Sequence, residues 1–133
     1  KMSVIASAKV LTLPEPWKGE VTSGTHQFLT DKPESFGGHD TGPAPYDFLT
    51  ASLASCTMIT LRMYAQHKEI DLGEFTVEVD FHTNREQQER IERRVTFKQP
   101  VSPELKEKLL NVCSKTPVTK TLLRSLDIHT MIL

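Results

Sequence analysis

Cysteine is scarce in this 133-residue chain, which has only Cys56 and Cys113, far apart in sequence. With no C-x-x-C pair and no Cys/His spacing of the kind zinc needs, a zinc finger and a thioredoxin-type motif are excluded. An excess of one charge is lacking too. Sixteen basic side chains nearly balance seventeen acidic ones, for a formal net charge of -1. No long-range positive field gathers phosphate backbones, and nucleic acid is not an expected partner. There is no unbroken apolar stretch long enough to cross a bilayer, and no charged start followed by an apolar run and a cleavage site, so no membrane association is expected. The expected location is cytoplasmic, where thiols stay reduced and serve either as packing residues or as chemical groups. Met2 reads as the native start, and Lys1 is set aside from fold reasoning.

The 38% hydrophobic and 25% charged composition suits one globular domain spanning 1–133. From Ser3 to Leu13 the residues are β-branched or small, until Pro14 and Pro16 end an opening strand. Gly19 to Thr22 and Thr25 to Thr30, with Ser23-Gly24 between them, read as a tight hairpin. A Pro-, Gly- and Asp-rich loop follows from Asp31 to Pro45, long enough to suggest a role. Pro45 then opens a helix that nothing stops until about Lys68, with apolar residues on nearly every side, as in a helix buried all round. Strict alternation over Phe75–Phe81 and Ile91–Phe97 predicts two half-buried strands joined by the polar run Thr83–Glu89, with Arg90, Arg93 and Arg94 read as a solvated surface. Ser102-Pro103 and Thr116-Pro117 each cap a short helix, and Asp127–Leu133 reads as a closing strand. The order βββ-α-ββ-α-α-β defines an α+β domain.

Cys56 falls well inside the long helix, where two readings compete. Burial among apolar neighbours raises a thiol pKa and leaves an inert core cysteine, whereas a functional thiol requires a further signal. That signal is the run Gly38-His39-Asp40-Thr41-Gly42-Pro43-Ala44-Pro45-Tyr46-Asp47-Phe48-Leu49-Thr50-Ala51-Ser52-Leu53-Ala54-Ser55-Cys56. It resembles the central helix motif of the OsmC/Ohr family of thiol-dependent peroxidases, in which a proline opens the helix and the reactive cysteine follows small residues. Thr116-Pro117-Val118-Thr119-Lys120 resembles the family's second motif, and the order of elements matches across nearly the whole chain. The resemblance implies an OsmC-like fold, with antiparallel sheets wrapped around a long central helix, in an intertwined homodimer with its sites at the subunit interface and no cofactor. It implies further that one cysteine attacks an organic hydroperoxide, a second closes a disulfide with the resulting sulfenic acid, and an Arg and a Glu hold the first thiol as thiolate.

Three of those four positions depart from the pattern. Thr116 stands where the second motif normally has Cys; it can cap a helix but cannot form a disulfide. Cys113, one helical turn earlier, is either a resolving thiol after local rearrangement or a packed residue beside Leu109 and Leu110. Tyr46 occupies the glutamate position, and Asp47, turned by about 100° on the helix, is either a substitute carboxylate or an N-terminal acid favoured by the helix dipole. No arginine precedes Arg62, which reads as structural; Lys18 is the nearest cation to a comparable stretch and reads as an ordinary exposed lysine. His39, in the loop before the helix, is either an imidazolium that favours a thiolate or a solvated side chain. The five histidines are scattered, and no metal site is expected.

The expected function is a thiol-dependent redox protein that reduces organic hydroperoxides through Cys56, with an external thiol regenerating it where Cys113 does not. A second class is a non-catalytic dimer binding a small apolar molecule in the interface pocket, motivated by the missing Glu, Arg and second-motif Cys. A third is a dimer with no ligand.

Overall fold

Proline opens each α-helix among the described residues: α1 (Pro45–His67), α2 (Pro103–Cys113) and α3 (Pro117–Leu122). Its fixed φ suits the first turn, and the N–H that it lacks has no intrahelical partner there anyway. Two starts are capped as their sequences predict: Ser102 Oγ accepts from the Leu105 N–H at 3.1 Å, and Thr116 Oγ1 accepts from the Thr119 N–H at 3.4 Å. The structure, a computed structural model describing residues 2–133, is α+β with two antiparallel sheets. It forms two units, one ending at Leu49 and one spanning Thr50–Leu133, and α1 runs through the boundary.

In the first unit, β1 (Ala8–Thr12), β2 (Gly19–Ser23) and β3 (His26–Thr30) form a meander. The β2–β3 turn is Gly24-Thr25, one residue later than expected, because Gly24 takes φ 59 and Ser23 stays paired with His26. β1 starts at Ala8, not Ser3. Ala8 pairs with Ser23, where β2 turns away, so earlier residues have no strand to bond to. Phe28 packs its ring 5.6 Å from that of Phe48, and Thr30 Oγ1 donates to the Pro43 carbonyl at 2.8 Å, tying the sheet to the start of α1.

Asp31 organises the intervening loop. Its buried carboxylate accepts from the Lys32 N–H (2.8 Å), the His39 N–H (3.1 Å), the Thr41 N–H (3.3 Å) and the Thr41 hydroxyl (2.8 Å). Burial pushes this carboxyl up, but the hydrogen bonds outweigh it and hold the pKa at about 2 against an ordinary 3.8. Glycine is required at two points of this loop. A Cβ on Gly38 would lie 2.0 Å from the Lys32 carbonyl oxygen, and one on Gly42 would lie 1.9 Å from that of Leu29.

In the second unit, β4 (Phe75–Thr83) and β5 (Glu89–Phe97) form a hairpin whose charged outer face joins Arg94 to Asp80 at 2.9 Å. Phe75 and Phe97 pair at one end with rings 5.4 Å apart. The core is Leu61 and Ala65 of α1, Leu72, and Leu109 and Cys113 of α2, with Phe75, Val95 and Phe97 of the hairpin packed against it. α1 buries one stripe, Leu53, Thr57, Leu61 and Ala65, spaced by four residues. This corrects the expectation of a helix buried on every side: Met58, Ile59 and Met63 lie at the surface, because one chain's hairpin and α2 cover only one line of the helix. The closing strand is not formed either. Residues 127–133 pair with no strand, and Ile128, Met131 and Ile132 are exposed. In α3, Val118 is half-buried as expected, whereas Leu122 is at the surface.

The Asp31 clamp gives a pH signature. Its folded pKa of about 2 lies below the ordinary 3.8, so its contribution is complete above pH 3.8 and is lost as pH falls through about 2. Asp31→Asn therefore has a lower thermal midpoint than wild type near neutrality, and the gap closes between about pH 4 and pH 2. Parallel melting curves across that range check it.

Candidate functional site

The inward face of β5 reads Ile91, Arg93, Val95, Phe97, so an arginine occupies a core-facing strand position. Its guanidinium donates to Thr57 Oγ1 on α1 at 2.9 Å, to Thr119 Oγ1 on α3 at 3.0 Å and to the Cys113 carbonyl at the end of α2 at 2.9 Å. Reading Arg93 as a solvated surface residue was thus incorrect, although Arg90 and Arg94 are exposed as expected. The signal was present in the sequence: a period of two places Arg93 with Ile91 and Val95, and the outward arginine is Arg94.

The hydroxyls around the guanidinium have a consistent proton order. Thr57, fully buried, gives its proton to the Leu53 carbonyl at 2.7 Å and accepts from Arg93. Thr119 gives its proton to the Cys113 carbonyl at 3.2 Å and accepts from Arg93. The 2.6 Å contact between Thr116 and Thr119 is then donated by Thr116. Hydrogen bonds from one cation fix the middle of α1, the end of α2 and the start of α3 together.

Cys56 is the residue before Thr57, so its side chain leaves the helix about 100° away from the Arg93 network. It is partly exposed, and its sulfur lies 4.0 Å from Thr60 Oγ1 one turn on. Cys113 is 6% exposed and shares the core with Leu61, Ala65, Leu72 and Leu109. Burial pushes its thiol up, and the Arg93 charge offsets part of that. Both thiols are free. Thr116 is fully buried and acts as the expected cap. Asp47 Oδ2 accepts from the Ala44 N–H at 2.9 Å, which is how an acid in the first turn satisfies a helix start. Tyr46 is exposed. His39 is also exposed, with its backbone N–H held by Asp31. Lys18 pairs with Glu15 at 3.3 Å. The structure therefore gathers Cys113, Thr116 and the unforeseen Arg93 around one network.

The family model for OsmC-like protein matches residues 38–131, from the glycine loop through both motifs. The chain belongs to the OsmC-like family. Solved structures agree on the fold. A Psychrobacter arcticus protein described as an osmotic stress induced and detoxification response protein matches with a TM-score of 0.76 at 22% identity, over 90% of each chain. An OsmC-like protein from Mycoplasma pneumoniae matches with 0.76 at 21% identity, over 92% of this chain and 89% of its own. The organic hydroperoxide resistance protein OhrB of Bacillus subtilis matches with 0.59 at 20% identity, over 89% and 90%. No curated protein matches the sequence.

Removing the guanidinium strands buried acceptors. Arg93→Met is expected to lower unfolding free energy by about 2–4 kcal/mol, with Arg93→Lys recovering only part, since one ammonium cannot reproduce the planar fork. Chemical denaturation of the three proteins measures both effects.

Proposed function

We propose that the protein is a thiol-dependent hydroperoxide reductase in which Cys56 is the attacking group. The observation that carries this reading is the placement of Cys56. It lies in the helix run that resembles the family's central motif, within residues 38–131 that the OsmC-like family model matches, and it is the partly exposed thiol of the two while Cys113 is core. A thiolate attacks one peroxide oxygen, the O–O bond breaks, the alcohol departs after protonation and a sulfenic acid is left on Cys56. The Bacillus subtilis neighbour is an organic hydroperoxide resistance protein, and this chain shares its fold. A reducing cytoplasm is the proposed setting, where free thiols persist; no helix among the described residues is long and apolar enough to cross a membrane.

The proposed working unit is a homodimer. Met58, Ile59, Arg62 and Met63 of α1 line an open groove of about 790 Å³ with Ile70–Glu74, and Met63 is 64% exposed. A second copy is the occupant that fits: the apolar runs at both chain ends also lack a strand neighbour, and a second chain supplies such partners.

Two measurements test these readings. With an organic hydroperoxide and a dithiol, wild type consumes peroxide and Cys56→Ser falls to the uncatalysed rate; equal consumption by the two refutes the assignment. In sedimentation, wild type runs at twice the chain mass and Met63→Glu shifts toward the monomer, because a carboxylate cannot be sealed unpaired in an apolar interface.

A further inference from the structure

We infer that Thr60 is a catalytic residue of the Cys56 reaction, its hydroxyl donating a hydrogen bond to the peroxide oxygens that take on charge as the O–O bond breaks. The inference rests on the proposed attack of Cys56 on a hydroperoxide.

Two threonines of α1 use their hydroxyls differently. Thr57 gives its proton to the Leu53 carbonyl one turn back, the usual bond of a threonine inside a helix. The same bond from Thr60 would go to the Cys56 carbonyl, and it is not made. Among the described residues, the one side-chain contact of Thr60 is with the Cys56 sulfur, at 4.0 Å. Its proton is therefore held by no carbonyl and is available at the sulfur.

Helix geometry explains the pairing. Side chains in an α-helix tilt toward the N-terminus, so Thr60 leans back over Cys56 across one turn. Ser52, one turn on the other side of Cys56, leans away from it by the same rule. Cys56 and Thr60 are both half-buried, so the sulfur meets solvent while the hydroxyl beside it is partly shielded from competing water.

The donor matters most as the reaction proceeds. The Cys56 thiolate attacks the terminal oxygen of R–O–O–H: an S–O bond forms, the O–O bond breaks and two electrons pass from sulfur to the leaving oxygen. RO⁻ then takes up the proton that Cys56 released on ionising, so Cys56–SH and ROOH give Cys56–SOH and ROH. Negative charge thus moves from sulfur, a weak hydrogen-bond acceptor, to oxygen, a strong one. With the sulfur 4.0 Å from Thr60 Oγ1, an oxygen bonding to it can lie about 3 Å from that hydroxyl. A bond that strengthens as charge arrives on oxygen favours the transition state over the ground state and lowers the barrier.

The test compares two reactions of the same sulfur in the reduced full chain. With tert-butyl hydroperoxide, and the sulfenic acid trapped by dimedone and read by mass, Thr60→Val is expected to react about tenfold more slowly than wild type. Thr60→Ser, which keeps the hydroxyl, stays within about threefold, and Ser52→Ala keeps the wild-type rate. Alkylation of Cys56 by iodoacetamide, followed on its peptide, is the companion readout, because iodide leaves without needing a hydrogen bond; there Thr60→Val stays within about twofold of wild type. Equal slowing of both reactions overturns the inference, since the loss then lies in access to the thiol or its ionisation, and so does an unchanged peroxide rate in Thr60→Val. Where valine folds poorly, Thr60→Ala is the second variant without the hydroxyl, and it is expected to show the same split. Wild-type Cys56 left unoxidised by the peroxide overturns the underlying peroxidase reading itself, a result distinct from any ratio between variants.

Discussion

One inward-facing cation holds the second unit in register. Taking a guanidinium out of water is costly, and the acceptors that repay Arg93 are two hydroxyls and a carbonyl, all neutral. The balance is met because each acceptor is itself fixed by a further bond: Thr57 to Leu53, and Thr119 to the Cys113 carbonyl and to Thr116. Three helices thereby share one reference point. The rotation of α1 is set there, and with it the direction in which Cys56 leaves the helix.

The glycine loop before α1 obeys a second constraint. Its chain passes so close to β3 and to residue 32 that a single added carbon at Gly42 or Gly38 would collide with a backbone carbonyl. Asp31 satisfies the N–H groups of a segment that has no sheet or helix to bond to. The motif's glycines and the upstream aspartate are thus one device, and they deliver Pro45 to the point where the helix begins. Asp47 finishes that start by taking the Ala44 N–H.

Local physics was legible in the sequence. Pro103 after Ser102 and Pro117 after Thr116 located two helix starts, and alternation over Phe75–Phe81 and Ile91–Phe97 located the hairpin, because caps and periodicity act over a few residues. Elements that need a distant neighbour were less legible. Strand-like composition in residues 3–7 and 127–133 does not make a strand without a chain beside it, and the apolar surface of α1 said nothing about how many sides one chain covers. Thr116 was readable as a helix cap, because its signal is local. The Arg93 network was missed because it is a pairing across the fold: Arg93 and Thr57 lie 36 residues apart and resemble an ordinary surface cation and an ordinary helix residue.

Thr57 carries a consequence of its own. Its hydroxyl has one proton and spends it on the Leu53 carbonyl, while a lone pair receives Arg93. Valine has the same outline and would fill the same volume, yet it would forfeit both bonds; serine keeps the chemistry and loses only a methyl group. The shape of this buried position therefore tolerates change more readily than its oxygen does, which inverts the usual rule for a residue in the middle of an enclosed helical face.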